Sequence, residues 1–228
     1  ILNVKNLVSN FNGGSIARQQ VMRGNNGWMQ ICEEAKATGK LKIGTEETSV
    51  NYASVDDCLR QNNDKIEGDV SYTEGLIRKQ DELIKSNEQA ITSTNPKSTW
   101  MGEKIVDTQA SAERFFTTTN LQTSLSKLDG LNTEQQNTIK LLDDKSYSEG
   151  KISYDEMKNL DLNLRIINDA SASNQMKTMA RKNINQTLDK VQAKVVIIDP
   201  TGWKDKLGLP IDNYNEGAGA IYRGSTID

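Results

Sequence analysis

The strongest constraint on this fold is a recurrence of apolar residues at steps of three and four between Asn132 and Asp199, the spacing of amphipathic helices. Met157, Leu160, Leu164 and Ile167 form one stripe. Its continuation falls on Ser171, Asn174 and Thr178, and a second stripe takes over through Met176, Ala180, Ile184, Leu188, Val191, Val195 and Ile198. The offset reads as a stutter in a heptad pattern, or as a kink where Asp169-Ala170-Ser171-Ala172-Ser173-Asn174 weakens the helix.

Upstream, Asp143 to Glu156 reads as the turn of a helical hairpin. Gly150 can take the left-handed conformation that ends a first helix, and Ser153 with Glu156 three residues on makes a capping box for the second. Ile152, just before the cap, can staple against Met157. Asp144, Ser146, Ser148, Gly150, Ile152, Ser153 and Glu156 also follow the order of a calcium loop. The count is wrong for that ligand: with Asp144 first, the glycine falls at the seventh position instead of the sixth, and Glu149 takes the sharp-turn place. A capped hairpin is the expectation.

The rest of the chain divides into three parts. Residues 1–53 form an N-terminal arm and short helices, 54–199 a long-helix bundle, and 200–228 an extended tail. In the first part, Ile1, Leu2, Val4, Leu7, Val8 and Phe11 precede Asn12-Gly13-Gly14 as a docking segment. Helical patterns follow around Ile16, Ala17, Val21 and Met22 and around Trp28, Ile31, Cys32 and Ala35. Leu41, Ile43, Val50 and Tyr52 suit a short hairpin.

Ser54 caps the next helix, with Asp56 and Asp57 placed against its dipole, and the pattern predicts one helix as far as Ile91. There Val70, Ile77, Ile84 and Ile91 lie seven apart, flanked by Leu76, Leu83 and Ala90 at the same interval, which is coiled-coil spacing. Gly68 and Gly75 would admit a closely packed neighbour. A further helix is expected from Ser98 through Phe115 and Phe116, loosening at Thr117 and resuming from Leu121 to Leu128. Pro96, Pro200 and Pro210 all fall outside the periodic segments, as helix interiors require.

The expectation is an all-α fold: an elongated bundle of long antiparallel helices with an extended N-terminal arm and an irregular C-terminal tail. In 228 residues, apolar side chains make up only 35% and aromatics 5%, which suits a thin helical body better than a sheet enzyme with a deep pocket. A net charge of −3 supplies no basic footprint for nucleic acid, so none is expected as a partner. No apolar run is long enough to span a membrane. The chain begins at Ile1, which is compatible with a removed leader, a proteolytic fragment or a trimmed chain.

The chain has no histidine, which excludes Ser-His-Asp and Cys-His catalysis, and zinc would lack its usual ligands. Asp56-Asp57, Asp143-Asp144 and Asp155-Glu156 sit where capping explains them. The glycines of the tail lack both Walker and dinucleotide-binding spacing. No catalytic residue, cofactor or metal is therefore expected. Cys32 and Cys58 are the disulfide candidate, and a bridge between them would restrict the unfolded chain by about 3.5 kcal/mol. Two reduced buried thiols are the alternative.

Trp203, Leu207, Leu209, Tyr214 and Tyr222 lie in a tail with no helical period, which packs back along the bundle, docks on a partner through these residues or stays a disordered end; docking is the candidate role for the five. The leading functional reading is a non-enzymatic structural or assembly protein that presents long amphipathic helices to protein partners, as a homo-oligomer or in a larger assembly. Its place would be a bacterial secretion, conjugation or surface apparatus, in the periplasm or outside the cell. A structural subunit of a phage particle, a ring or tube component with docking termini, is the first alternative. A sensor or enzyme built on a helical bundle is the second.

Overall fold

The computed structural model describes residues 15–94, 97–98, 104–105, 112–117 and 120–198. The N-terminal docking segment and the tail, with Trp203, Leu207, Leu209, Tyr214 and Tyr222, lie outside the described residues. What is described is mostly helical, as an all-α fold requires, with one four-residue-per-strand hairpin.

Helix α1 (Ile16–Arg23) starts at Ser15, whose hydroxyl accepts from the Arg18 amide at 3.1 Å. Helix α2 (Trp28–Thr38) ends at Gly39, which takes the left-handed conformation at φ 72°. The hairpin follows: β1 (Lys40–Ile43) pairs antiparallel with β2 (Glu46–Ser49). At its tip, Gly44 (φ 64°) lies so close to Asn174 that a Cβ there would stand 2.7 Å from the asparagine Cβ. Only glycine fits that turn.

The helix expected to run unbroken from Ser54 is two. Helix α3 (Val55–Gln61) stops at Asn62, and α4 (Asn63–Thr94) begins at once. The cause is tertiary: the Asn62 amide nitrogen donates to the Cys58 carbonyl at 2.8 Å and to the Tyr52 hydroxyl at 3.2 Å. Asparagine's competition for backbone groups is anchored here by a neighbouring side chain. Within α4, Val70 and Ile84 of the seven-residue series are buried, but Leu83 is exposed. Among the described residues, nothing lies within 4 Å of a Cβ built at Gly68 or Gly75, so neither glycine admits a neighbour from them.

The helix expected from Ser98 does not start there. Instead β3 (Lys97–Ser98) pairs antiparallel with β4 (Lys104–Ile105). Pro96 cannot continue α4, and Ser98, Thr99 and Gly102 are weak helix formers. A π-helical turn, Glu113–Thr117, buries Phe116 edge-on against Phe115, with ring centroids 4.8 Å apart. Helices α5 (Leu121–Ser126) and α6 (Thr133–Lys140) lead into the turn around Gly150.

After that turn comes α7 (Tyr154–Asn168), whose capping box has both bonds: Glu156 amide to Ser153 hydroxyl at 3.1 Å and Ser153 amide to Glu156 carboxylate at 2.8 Å. Ile152 and Met157 are fully buried in one cluster, as the staple requires. Gly150 is left-handed (φ 74°), though the helix before the turn already ends at Lys140.

The failure of register after Ile167 is neither stutter nor kink but a reversal. Asp169 accepts from the amide and hydroxyl of Ser171 at 2.9 and 2.8 Å, and Ser173 accepts from the Met176 amide at 3.1 Å as α8 (Asn174–Ile198) begins. Helices α7 and α8 then run antiparallel, pairing Asn163 with Asn183 and Asn159 with Thr187.

The buried side chains form two clusters. The first joins α1, α2, the hairpin and α3 to the start of α4 and to Ile166, Met176 and Ala180 near the α7–α8 reversal. Residues before Ala53 thus share a core with the long helices. The second holds Phe116, Leu125, Ile139, Leu160, Leu164, Leu188 and Val191. Ile167 packs against both.

Candidate interaction surface

The sulfurs of Cys32, on α2, and Cys58, on α3, are 2.20 Å apart and bonded, with Cα atoms 5.7 Å apart. Both residues are wholly buried. Close by, Asp69 on α4 is 7% exposed and carries the polar centre of the first core. Its carboxylate accepts from Trp28 Nε1 at 3.1 Å and from the Ser173 hydroxyl at 2.9 Å. Burial pushes its carboxyl above the usual range, against the opposing pull of the Trp28 and Ser173 bonds. Tyr72, a turn further along, donates to Asp169 at 2.8 Å, and burial and that carboxylate raise its hydroxyl. Two segments distant in sequence, α2 and the α7–α8 reversal, are thereby tied to one face of α4.

Between α7 and α8 runs a polar seam. The Thr187 hydroxyl lies 2.8 Å from both Asn159 Oδ1 and the Asn183 carbonyl, which share its one proton, and Asn183 donates to Asn163 Oδ1 at 3.3 Å. Asn25, in the α1–α2 turn, reaches Asn183 and Gln186. Asn163 and Thr187 are buried and Asn159 and Asn183 half-buried, so each needs its partner and the seam favours one register of the two helices. The sequence signal was available: Asn159 with Asn163 and Asn183 with Thr187 are each four apart, but such residues read as a solvated face until the partner helix is known.

An open cleft of about 520 Å³ lies between α4, α5 and α7. Its Asp161 accepts from Arg165 Nε and Gln80 Nε2, both at 2.8 Å. Its Asp169 carboxyl is held below the usual range, chiefly by the Ser171 amide and hydroxyl. Both acids are committed to structural bonds, which leaves them poor candidates for proton transfer. The residues in calcium-loop order are similarly engaged. The Ser146 hydroxyl donates to Asp143, and Glu156 closes the capping box and pairs with Lys194. Among the described residues, no group of three acids or cysteines could hold a metal ion, and no helix is long and apolar enough to cross a membrane.

Among the described residues, and apart from Leu83 on α4, exposed apolar side chains gather on two surfaces. On one side, hollows of about 290 and 340 Å³ adjoin through Ile16 and Ile77, with Leu162 in the floor and Glu74, Arg78, Asp81, Asp155 and Lys158 at the rim. Ile16 is 65% exposed there. At the end of α8, Val196, Ile197 and Ile198 are 37%, 78% and 49% exposed, while Val195 beside them is buried.

Comparison with protein-family models, curated proteins and solved structures finds no match to this chain.

Proposed function

We propose that the chain is a non-enzymatic assembly protein: an elongated bundle of long antiparallel helices that presents apolar patches to further copies of itself within an extracytoplasmic bacterial secretion, conjugation or surface apparatus. The observation that carries this reading is the run Val196, Ile197 and Ile198, three consecutive apolar side chains left exposed where α8 ends. Adjacent exposed aliphatic residues are what a subunit contact would cover. The buried Cys32–Cys58 bridge supports a place in an oxidising compartment. The engaged state of Asp161 and Asp169 favours a structural role over catalysis. A phage-particle subunit would use the same patches, but a virion assembled in the cytosol would leave the bridge without an oxidant.

The test is the variant Ile197→Asp in light scattering coupled to size exclusion. An exposed side chain can be changed without loss of fold, so the reading predicts unchanged helicity and a drop in assembled mass. Equal masses for the native chain and the variant would count against it.

A further inference from the structure

The outer strand of the hairpin carries backbone groups that its own partner strand does not use. Val50 donates its amide to the Gly39 carbonyl at 2.8 Å, and the register continues from Lys40 opposite Ser49 to Ile43 opposite Glu46. Bonded and non-bonded pairs alternate along an antiparallel ladder, so the next bonded pairs are Leu41 with Thr48 and Ile43 with Glu46. The N–H and C=O groups of Glu47 and Ser49 therefore point away from β1. Among the described residues, none bonds to these groups. Glu46, Glu47, Thr48 and Ser49 are all exposed, so neither face of β2 is covered by them. Free edges are commonly guarded by proline, lysine or a bulge. β2 has none of the three; its charges are Glu46 and Glu47, and Lys40 holds the second at 2.9 Å.

We infer that β2 adds edge to edge to β2 of a second copy of this chain, antiparallel and centred on Thr48. The strand is its own complement in that register. Glu47 stands opposite Ser49 of the second copy, and Ser49 opposite its Glu47, so every outward backbone group of both residues is bonded. Thr48 meets its own copy in a non-bonded pair, a favourable threonine contact. Glu46 falls opposite Val50. Charge selects this register over its neighbour, because centring on Glu47 would set two carboxylates directly opposite each other. Centred on Thr48, each Glu47 has lysine on its β1 side and serine across the new ladder. The inference goes beyond the assembly reading, which rests on the end of α8, and is tested separately from it. A ladder this short is a weak contact by itself, so the test traps it covalently.

The test places single thiols on the strand and oxidises the full chain with glutathione disulfide, from which the wholly buried Cys32–Cys58 bridge is shielded. Thr48→Cys sets its thiol beside its own copy, where Cβ atoms of a non-bonded pair lie about 4.5–5.5 Å apart, close to disulfide geometry. Glu46→Cys is exposed on the same face, but its copies stand out of register. Edge pairing predicts covalent dimer from Thr48→Cys at least about tenfold faster than from Glu46→Cys, read by non-reducing electrophoresis and intact mass. Adding Ser49→Pro removes one outward N–H and spares the bonds to β1, so it should slow bridging by about fivefold or more, whereas Ser49→Ala should not. Should Ser49→Pro lose its helicity, the ratio between the two thiols decides alone. Equal rates for the two thiols, or a folded Ser49→Pro chain that bridges as fast, overturn the inference. The same thiols with Ile197→Asp keep the two readings apart. Selective bridging in a chain that otherwise has the mass of one copy supports edge pairing and removes the assembly reading; unselective bridging in a chain that assembles does the reverse.

Discussion

The indole of Trp28 donates its N–H to Asp69 at 3.1 Å, with both residues buried between α2 and α4. The bond fixes the N-terminal helices on the long helix, and it makes stability depend on pH. Burial raises the folded-state pKa of Asp69 above its unfolded value. A carboxyl so shifted binds its proton more tightly when folded, so its contribution is most favourable in acid and declines as pH rises through the folded value. Urea unfolding of the native chain and Asp69→Asn between pH 4 and 8 checks this. The native chain should lose ground to the variant as pH rises. Asp69→Ala, which leaves the Trp28 N–H unpaired, should cost about 2 kcal/mol near pH 4 and less as pH rises.

The start of α7 carries a complete capping box, and it yields a graded prediction. Ser153→Ala removes one bond of the capping box and should cost about 1 kcal/mol, lowering Tm by roughly 2–4 °C. Ile152→Ala, which empties a fully buried site behind the same cap, should cost about 2–4 kcal/mol. Equal effects would mean that the staple contributes nothing beyond the cap.

Gly68 and Gly75 meet no constraint from the described residues, since an added Cβ at either finds none of them within 4 Å. Each change to alanine should therefore stabilise α4 by roughly 0.5–1 kcal/mol, read as a rise in the urea midpoint. If either substitution stabilises the fold yet weakens assembly, that glycine is a place where a partner approaches closely.

Replacing both Cys32 and Cys58 by serine opens a loop with a sequence separation of 26. The unfolded chain then gains freedom worth about 3.5 kcal/mol, before any cost of burying two hydroxyls. Denaturant unfolding with and without reductant measures the same quantity independently. A double variant as stable as the native chain would contradict the structural role assigned to the bridge.

Much of the second core was legible before any coordinates, because Met157, Leu160, Leu164, Leu188 and Val191 follow helical spacing and all are buried. The capping box at Ser153 was equally plain, since caps are written in adjacent residues; the hairpin was legible only in outline, because its second strand is Glu46–Ser49 and ends before the expected Val50 and Tyr52. Tertiary bonds were not. The break at Asn62 depends on Tyr52, and the network at Asp69 joins Trp28 to Ser173 across more than half the chain. The reversal after Asn168 showed in the sequence only as a lost register. An Asx turn and a kink leave the same trace in periodicity, so the direction of the following helix could not be read. The exposed end of α8 and the groove at Ile16 were invisible for a different reason: periodicity marks which residues are apolar, not which of them the fold leaves uncovered.

The central claim is that this surface is built to meet copies of itself, and the molar mass of the native chain tests it most directly. Light scattering across a concentration series, without reductant, should give a mass that climbs above the 25.4 kDa of one chain. A mass fixed at 25.4 kDa over the whole series, unchanged by Ile197→Asp, would contradict the account.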